Sequence, residues 1–178
     1  MTSKISRICW NQNNWTKPSG PLGKSKDKYS FECQNGFGHE EWLLDTAKVV
    51  KGYHYGYLQT VARHWSLYEG KRFDITLYAT NCDNRESWWV GKIRNVEVIK
   101  RNSTNAIKLQ YKTMGWYDEM HAQLNDVGIR LSLKKVERIV PCIRFRVEDL
   151  SLPDRPVRIP DLKKALGIYR YILLLSLA

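Results

Sequence analysis

Alternation of apolar and polar positions is clearest in residues 72–80 and predicts a strand there. Phe73, Ile75, Leu77 and Ala79 share one parity, and polar or aromatic residues separate them. A period of two places successive side chains on opposite faces of a sheet, so this segment fits a strand with one buried face. We therefore expect residues 72–80 to lie at the centre of the fold.

The next segment, residues 87–100, alternates in the same way but changes phase once. A polar turn at residues 81–84 joins it to the strand before it, which predicts a β-hairpin. The phase change separates two sets of opposite parity: Trp89, Gly91 and Ile93, and then Val96 and Val98. Because a shift of one residue turns side chains to the other face, the change predicts a β-bulge, which small barrels use to bend.

Weaker patterns add elements on either side of this hairpin. Short strands are expected at residues 4–10, 29–33, 106–112 and 143–147, and the alternating Tyr53, Tyr55 and Tyr57 predict another. Helical spacing predicts a helix over residues 116–127, and early acidic residues predict a short one at 39–45. The fold class is therefore α+β, with a strongly bent or closed sheet at its centre.

The end of the chain differs in composition from the rest and suggests a domain boundary. Three prolines, Pro153, Pro156 and Pro160, follow Leu152 closely. We expect one domain over residues 1–152, and a linker with the start of a C-terminal helix or a following domain over residues 153–178.

The charge balance is strongly basic and points to an anionic partner. The chain of 178 residues carries 29 Lys and Arg against 18 Asp and Glu, a formal net charge of +11. This excess favours attraction to nucleic-acid phosphates or anionic lipid. No apolar stretch has the length of a membrane span, and the N-terminus shows no secretory signal, so a cytoplasmic protein without a membrane partner is expected.

Motifs for catalysis or metal binding are absent or incomplete. The four cysteines, Cys9, Cys33, Cys82 and Cys142, contain no Cys-x-x-Cys pair, so we expect free thiols and no metal site. His39 and Glu40 lack the second histidine of a zinc-protease helix, because residue 43 is leucine. We expect no cofactor and no catalysis by this chain.

One triplet leaves a nuclease open as an alternative. Glu69-Gly70-Lys71 fits half of a metal-dependent nuclease site, and Asp45 is the available acidic partner. Such triplets also arise by chance, so the nuclease remains an alternative to a binding function.

Aromatic residues beside basic ones are the main functional signal. The chain contains seven Trp and ten Tyr, many of them close to Lys or Arg in sequence. Aromatic faces stack on bases and cations neutralise phosphates, so the combination is typical of nucleic-acid binding. Three clusters carry it: Trp10 and Trp15 with Lys17, Lys24, Lys26 and Lys28; Trp42 with Tyr53, Tyr55 and Tyr57; and Trp89 with Arg85, Lys92 and Arg94.

The central hairpin resembles that of the PUA-like superfamily, which includes EVE, ASCH and YTH domains. The similarity lies in residues 70–80, in residues 88–96 with their Val-Gly-Lys-Ile step, and in residues 143–153 with their exit to a proline. It implies a small, strongly bent β-barrel with flanking helices that reads a modified base in an aromatic pocket. Such domains resemble the sensor half of modification-dependent restriction endonucleases, whose nuclease would follow residue 152.

The resemblance assigns roles to the aromatic and basic residues. The base-binding pocket would be built from these aromatic residues: Trp10, Trp15 and Trp89, with Trp42, Tyr53, Tyr55 and Tyr57 as alternatives. Phosphates would be held by these cations: Lys17, Lys24, Lys26, Lys28, Arg85, Lys92 and Arg94.

The leading interpretation is a DNA-binding sensor that flips a modified base out of double-stranded DNA. The base would be methylated or hydroxymethylated cytosine, or methylated adenine, and the partner an attached or separate nuclease. An RNA reader of the same fold, the nuclease described above and a protein-interaction module remain alternatives, and a homodimer is left open.

Overall fold

The protein is described from a computed structural model, which covers residues 3–166 and 175–176. Strands are numbered in chain order: β1 (Ser3–Ile8), β2 (Val49–Val50), β3 (Tyr53–Gly56), β4 (Arg72–Thr80), β5 (Ser87–Val98), β6 (Ile143–Phe145), β7 (Leu150–Ser151), β8 (Val157–Ile159) and β9 (Leu175–Ser176). The α-helices follow the same rule: α1 (Phe31–Asn35), α2 (Gln59–Ala62), α3 (Trp65–Tyr68), α4 (Thr104–Thr113), α5 (Trp116–Asp126), α6 (Leu133–Val136) and α7 (Leu162–Leu166). Short 3₁₀ helices lie at His39–Trp42, Arg101–Ser103 and Val147–Asp149.

All nine strands belong to one mixed sheet, in the order β2-β3-β6-β5-β4-β1-β9, with β7 and β8 also paired to β5. Strands β1 and β4 are parallel, and the other pairs are antiparallel. The long β5 pairs with β4 on one edge and with β6, β7 and β8 in turn on the other. The α+β class is confirmed, but pairing within the described residues leaves β2 and β9 as ends, so the sheet is not closed into a barrel.

The predicted hairpin and its bulge are confirmed in β4 and β5. The register shifts between Phe73 and Ile75 of β4, opposite an extra residue in β5. There Asn95 has φ 49°, and its N–H donates to Asp74 Oδ1 at 3.1 Å. A second register shift follows farther along β4. These irregularities explain why apolar positions in β5 change parity while remaining in the core.

The helices cover the sheet and form two adjoining apolar clusters. The larger cluster lies between β1, β4, β5 and α2, and the second is built around α4 and α5. The strand expected at residues 106–112 is wrong, because α4 occupies it: Ile107 and Tyr111 are buried one helical turn apart, and Leu109 is exposed. The strand expected at 29–33 is also wrong, because Ser30 caps α1 by accepting the N–H of Cys33.

From the sequence, residues after Leu152 are expected to begin with a linker. In the structure, part of this segment continues the same sheet. Strand β8 pairs with β5, with Arg158 opposite Trp88. Ile159 is buried beside Tyr78 and Ile5, on the face of the sheet away from α2. The C-terminal helix expected within residues 153–178 is observed as α7, and residues 167–174 lie outside the described residues.

Candidate functional site

A cleft of about 580 Å³ lies at the carboxyl end of β1 and is here called the β1 cleft. Its walls come from residues 7–9, from residues 25–32, from Glu40, and from Gln59, Thr60 and Arg63 in and after α2. A volume of this size is typical of pockets that enclose a small molecule or a single nucleotide. The four wall segments are far apart in sequence and meet because α2 packs on β1, where the hydroxyls of Ser6 and Thr60 lie 2.7 Å apart.

Glu40 is a buried carboxyl group in the β1 cleft. Its residue surface is only 2% exposed, and its Oε1 accepts the backbone N–H of Gln59 at 2.9 Å. Burial, with a smaller contribution from the Glu32 carboxylate, raises the pKa of Glu40 to about 7, while the Gln59 N–H and the Cys9 thiol oppose the rise. Glu40 can therefore exist as a neutral carboxylic acid near neutral pH, able to donate as well as accept a hydrogen bond.

An aromatic surface forms the wall beside Glu40. The ring of Phe31 stacks on that of His39, with centroids 3.9 Å apart and planes 29° apart. Burial lowers the pKa of His39 to about 4, so its imidazole is neutral at physiological pH. The Tyr57 ring lies against the other side of His39 at 4.6 Å. This arrangement fixes the orientation of Phe31, which faces the β1 cleft.

Cations surround the mouth of the β1 cleft. Arg63 is exposed and lines it, and Lys26 and Lys28 alternate along the chain with the lining residues 25, 27 and 29. Lys26 pairs with Asp83 at 2.7 Å, which ties this segment to the turn between β4 and β5. Tyr29 is 78% exposed, with the Lys28 ammonium 5.0 Å from its ring centroid. The mouth therefore presents positive charge and an exposed aromatic ring together.

Three of the aromatic residues proposed for base binding are core residues. Trp15 is buried and donates its Nε1–H to the carbonyl of Cys9 at 2.8 Å. Trp42 is buried and donates its Nε1–H to Gln123 Oε1 at 2.7 Å. Tyr55 is 6% exposed in the second apolar cluster. These rings stabilise the fold, and none of them lines the β1 cleft.

The remaining proposed aromatic residues lie in separate places. Trp10 packs over Gly23, where a Cβ would fall 2.2 Å from the indole Cδ1. Trp89 contacts Tyr78 edge-on, on the other face of the sheet. Tyr53 lies under the guanidinium groups of Arg144 and Arg146. Tyr57 shares with Trp42 and Tyr55 a cavity of only about 20 Å³. The structure therefore does not bring the seven proposed residues together in one pocket.

Lys24 was expected to hold phosphate, but its ammonium is buried and already paired. Its Nζ lies 2.7 Å from Glu41 Oε1 and also donates to the carbonyl of Trp10 and to Ser19 Oγ. Glu41 additionally accepts the backbone N–H groups of Gly38 and Ser19 and the amide of Asn11. Burial raises the pKa of Glu41, and Lys24 opposes that rise. The Lys24–Glu41 ion pair therefore holds the loop of residues 11–24 against the core.

The other proposed phosphate ligands lie at the surface. Lys17, Lys28, Arg85 and Arg94 are exposed, and Lys92 is half-exposed and paired with Asp74 at 3.0 Å. Of this set, Lys26 and Lys28 lie beside the β1 cleft, and Arg85 is two residues from Asp83, the partner of Lys26. The remaining cations lie on other parts of the surface.

The triplet of the nuclease alternative does not form a site with Asp45. Glu69 accepts the backbone N–H of Arg101 at 2.7 Å, whereas Asp45 pairs with Lys48. In the part of the chain that the structure describes, no three His, Cys, Asp or Glu residues are grouped to hold a metal ion. The same part has no helix that is both long and apolar enough to cross a bilayer.

The residues that line the β1 cleft, apart from the adjoining lysines, were missed from the sequence. Phe31, Gln59, Thr60 and Arg63 belong to no motif, and Glu40 was considered only as part of a zinc motif. The available signal was a glutamate within an apolar segment, because a buried carboxylate requires either a partner or a function. Comparison with protein families, curated proteins and solved structures finds no match for this chain.

Proposed function

We propose that this protein is a DNA-binding module that receives one flipped, modified base in the β1 cleft. The observation that best supports this proposal is the cleft itself, where a stacked aromatic wall, a buried carboxyl group and cations at the mouth occur together. A base needs a ring to stack on and polar groups for its edge, and its phosphates need cations outside the pocket. In the β1 cleft the aromatic ring and the polar groups lie on the walls, and the cations lie at the mouth.

The basic surface supports DNA as the ligand. The net charge of +11 favours phosphate binding, and Lys26, Lys28 and Arg63 lie at the rim, where the backbone of an extruded nucleotide would pass. The interior contains the acidic side chains of Glu32 and Glu40, which can accept base N–H groups, whereas Asp27 is exposed at the mouth. The proposal therefore places the base inside and the backbone outside.

The resemblance to the PUA-like superfamily belongs to the same proposal. The β4–β5 hairpin carries two bulges, and Leu43, Leu44 and Val61, in and near α2, pack in one apolar cluster with β1 and β4. We propose that this is an open variant of the small bent barrel, that it acts in the cytoplasm, and that it serves an attached or separate nuclease rather than catalysing a reaction itself.

Binding of matched duplexes tests the proposal. We expect DNA with one methylated or hydroxymethylated cytosine, or one methylated adenine, to bind roughly tenfold or more tightly than the unmodified duplex at physiological salt. Equal affinity for every pair would refute the modified-base function. Stronger competition by single-stranded RNA than by duplex DNA would replace DNA with RNA as the ligand.

Two variants locate the binding site. Phe31→Ala removes a stacking face and is expected to cost about 1–3 kcal/mol of binding. Arg63→Ala is expected to lower the slope of log affinity against log salt by about one. Arg138→Ala, an exposed arginine outside the β1 cleft, controls for loss of charge alone. If Arg138→Ala weakens binding as much as Arg63→Ala does, the cleft is not the site.

A further inference from the structure

We infer that Tyr29 is the side chain that enters the base stack of the duplex and fills the gap left by the extruded base. It is 78% exposed, although it belongs to the residues that line the β1 cleft. An aromatic ring with this much free surface, at the edge of a cleft, is available for stacking on a ligand. This role rests on the proposed function, because a gap in the base stack forms only when a base has been extruded.

Tyr29 and Phe31 are the aromatic residues that line the β1 cleft, and they differ in depth. Phe31 is half-buried, and its ring is stacked on His39 with centroids 3.9 Å apart. Tyr29 precedes it by two residues, and an extended chain spans at most about 7 Å over that separation. The proposed function places the extruded base against Phe31 and the duplex outside the mouth. Tyr29 is then the ring on the side of the duplex, close to the position that the base has left.

The backbone that carries Tyr29 is held in place by hydrogen bonds within the protein. Asp27 forms a turn in which its Oδ1 accepts the N–H of Tyr29 at 3.0 Å and its carbonyl accepts the N–H of Ser30 at 2.8 Å. The start of the segment is tied to α1, because the N–H of Ser25 donates to Glu32 Oε2 at 2.9 Å. A side chain on such a preorganised turn loses little backbone entropy when it enters a ligand.

Lys28 places positive charge beside the same ring. Its Nζ lies 5.0 Å from the centroid of the Tyr29 ring, and the residue is exposed. Phosphates flank every base step of a duplex, so a ring that enters the stack brings a cation beside it close to the backbone. The two neighbouring side chains therefore match the two parts of a base step, which are the faces of the bases and the phosphates outside them.

A ring in the stack offsets part of the cost of extruding a base. Extrusion breaks one base pair and removes the base from between its two neighbours. An aromatic side chain that takes the vacated place stacks on the same neighbours, and such stacking tolerates any base. Tyr29 therefore contributes affinity for a target that is paired within a duplex, while the cleft behind it determines which base is accepted.

The experiment measures affinity for two duplexes that carry the same modified base: methylcytosine, hydroxymethylcytosine or methyladenine. In the first duplex the base is paired. In the second it is a single unpaired bulge, whose flanking pairs stack on each other after extrusion and leave no gap. Tyr29→Ala is expected to bind the paired duplex about tenfold more weakly than wild type and the bulged duplex equally well. Phe31→Ala removes a wall of the cleft itself and is expected to weaken binding of both duplexes.

Two further variants and a fluorescent base serve as controls. Tyr29→Phe retains the ring and is expected to bind both duplexes as wild type does. Leu109→Ala removes an apolar side chain that is 62% exposed on α4, outside the cleft, and is expected to change neither affinity. A fluorescent aminopurine placed next to the paired target reports stacking at the gap. It is expected to be brighter in the complex with Tyr29→Ala than in the wild-type complex, because no ring stacks on it.

The outcomes separate this role from the proposed function. If wild type shows no preference for any modified duplex over the unmodified one, the proposed function fails, and the role of Tyr29 with it. If that preference is present and Tyr29→Ala binds the paired duplex as tightly as wild type, or weakens both duplexes equally, Tyr29 does not enter the stack and the proposed function stands. Thermal melting of each variant establishes that the binding data refer to folded protein.

Discussion

Replacing Lys24 with methionine should destabilise the fold strongly, although a lysine in a basic loop would ordinarily be replaceable. The side chains of Lys24 and Glu41 are 2% and 0% exposed, and their charged atoms lie 2.7 Å apart. Lys24→Met removes one charge and leaves the Glu41 carboxylate buried without its partner. Breaking a buried ion pair in this way costs about 3–5 kcal/mol. For a chain of this size, such a loss lowers the melting temperature by roughly 6–20 °C.

Urea unfolding and thermal melting of Lys24→Met and Lys26→Met provide the measurement and its control. Lys26 lies two residues away and also forms an ion pair at 2.7 Å, but its side chain is 73% exposed. Solvent screens that pair, so Lys26→Met should leave the unfolding midpoint almost unchanged. The double variant Lys24→Met/Glu41→Gln should recover much of the stability, because no unpaired charge remains and the amide oxygen can still accept the N–H groups that Glu41 binds. Equal, small effects of both single variants would refute the burial of the Lys24–Glu41 pair.

Three further predictions concern single positions. Glu40→Gln should remove a pH-dependent loss of stability in wild type: folding raises the pKa from 4.5 to about 7, so stability is full below pH 4.5 and falls by about 3 kcal/mol between pH 4.5 and pH 7, measurable by urea unfolding at pH 4 and pH 8. Trp15→Phe should cost about 1–3 kcal/mol, because the buried carbonyl of Cys9 loses its donor, and should leave DNA affinity unchanged. Asn95→Ala should cost about 1 kcal/mol at its positive φ, and Asn95→Gly should not, in thermal melting; a stable alanine variant would contradict the left-handed bulge.

The hairpin could be predicted from the sequence because the alternation that defines it involves only neighbouring residues. Alternation in β4 and the change of parity in β5 are properties of adjacent residues, and both survive in the fold because each apolar position contacts the same core. Residues 106–112 were misassigned because the local pattern of residues there does not decide between a strand and a helix. The few apolar positions there fit a strand as well as a helix, and only packing of Ile107 and Tyr111 around α5 separates the two.

The functional residues could be predicted only in part, because the type of a residue does not show how deeply its side chain is buried. Lys24 and Lys26 are equivalent in sequence, yet one is buried against Glu41 and the other is at the surface. The proposed tryptophans show the same limitation. Trp15 looks like a free stacking face until its Nε1–H is found bonded to a backbone carbonyl inside the core. Aromatic content therefore predicted a stable core as much as a binding surface.

On the proposed function, the acidic side chains inside the β1 cleft and the basic net charge of the chain would contact different parts of one ligand. A cleft that bound phosphate would carry mainly cations on its walls, whereas here Glu32 and Glu40 line it together with Arg7, and the lysines lie at its mouth. An extruded nucleotide has the same polarity, with uncharged N–H groups on the base and negative charge on the backbone. On the proposed function, charge at the rim would set an affinity that depends on salt, and the side chains inside the cleft would set the selectivity for the base. The two contributions are separable by experiment because they depend on different residues.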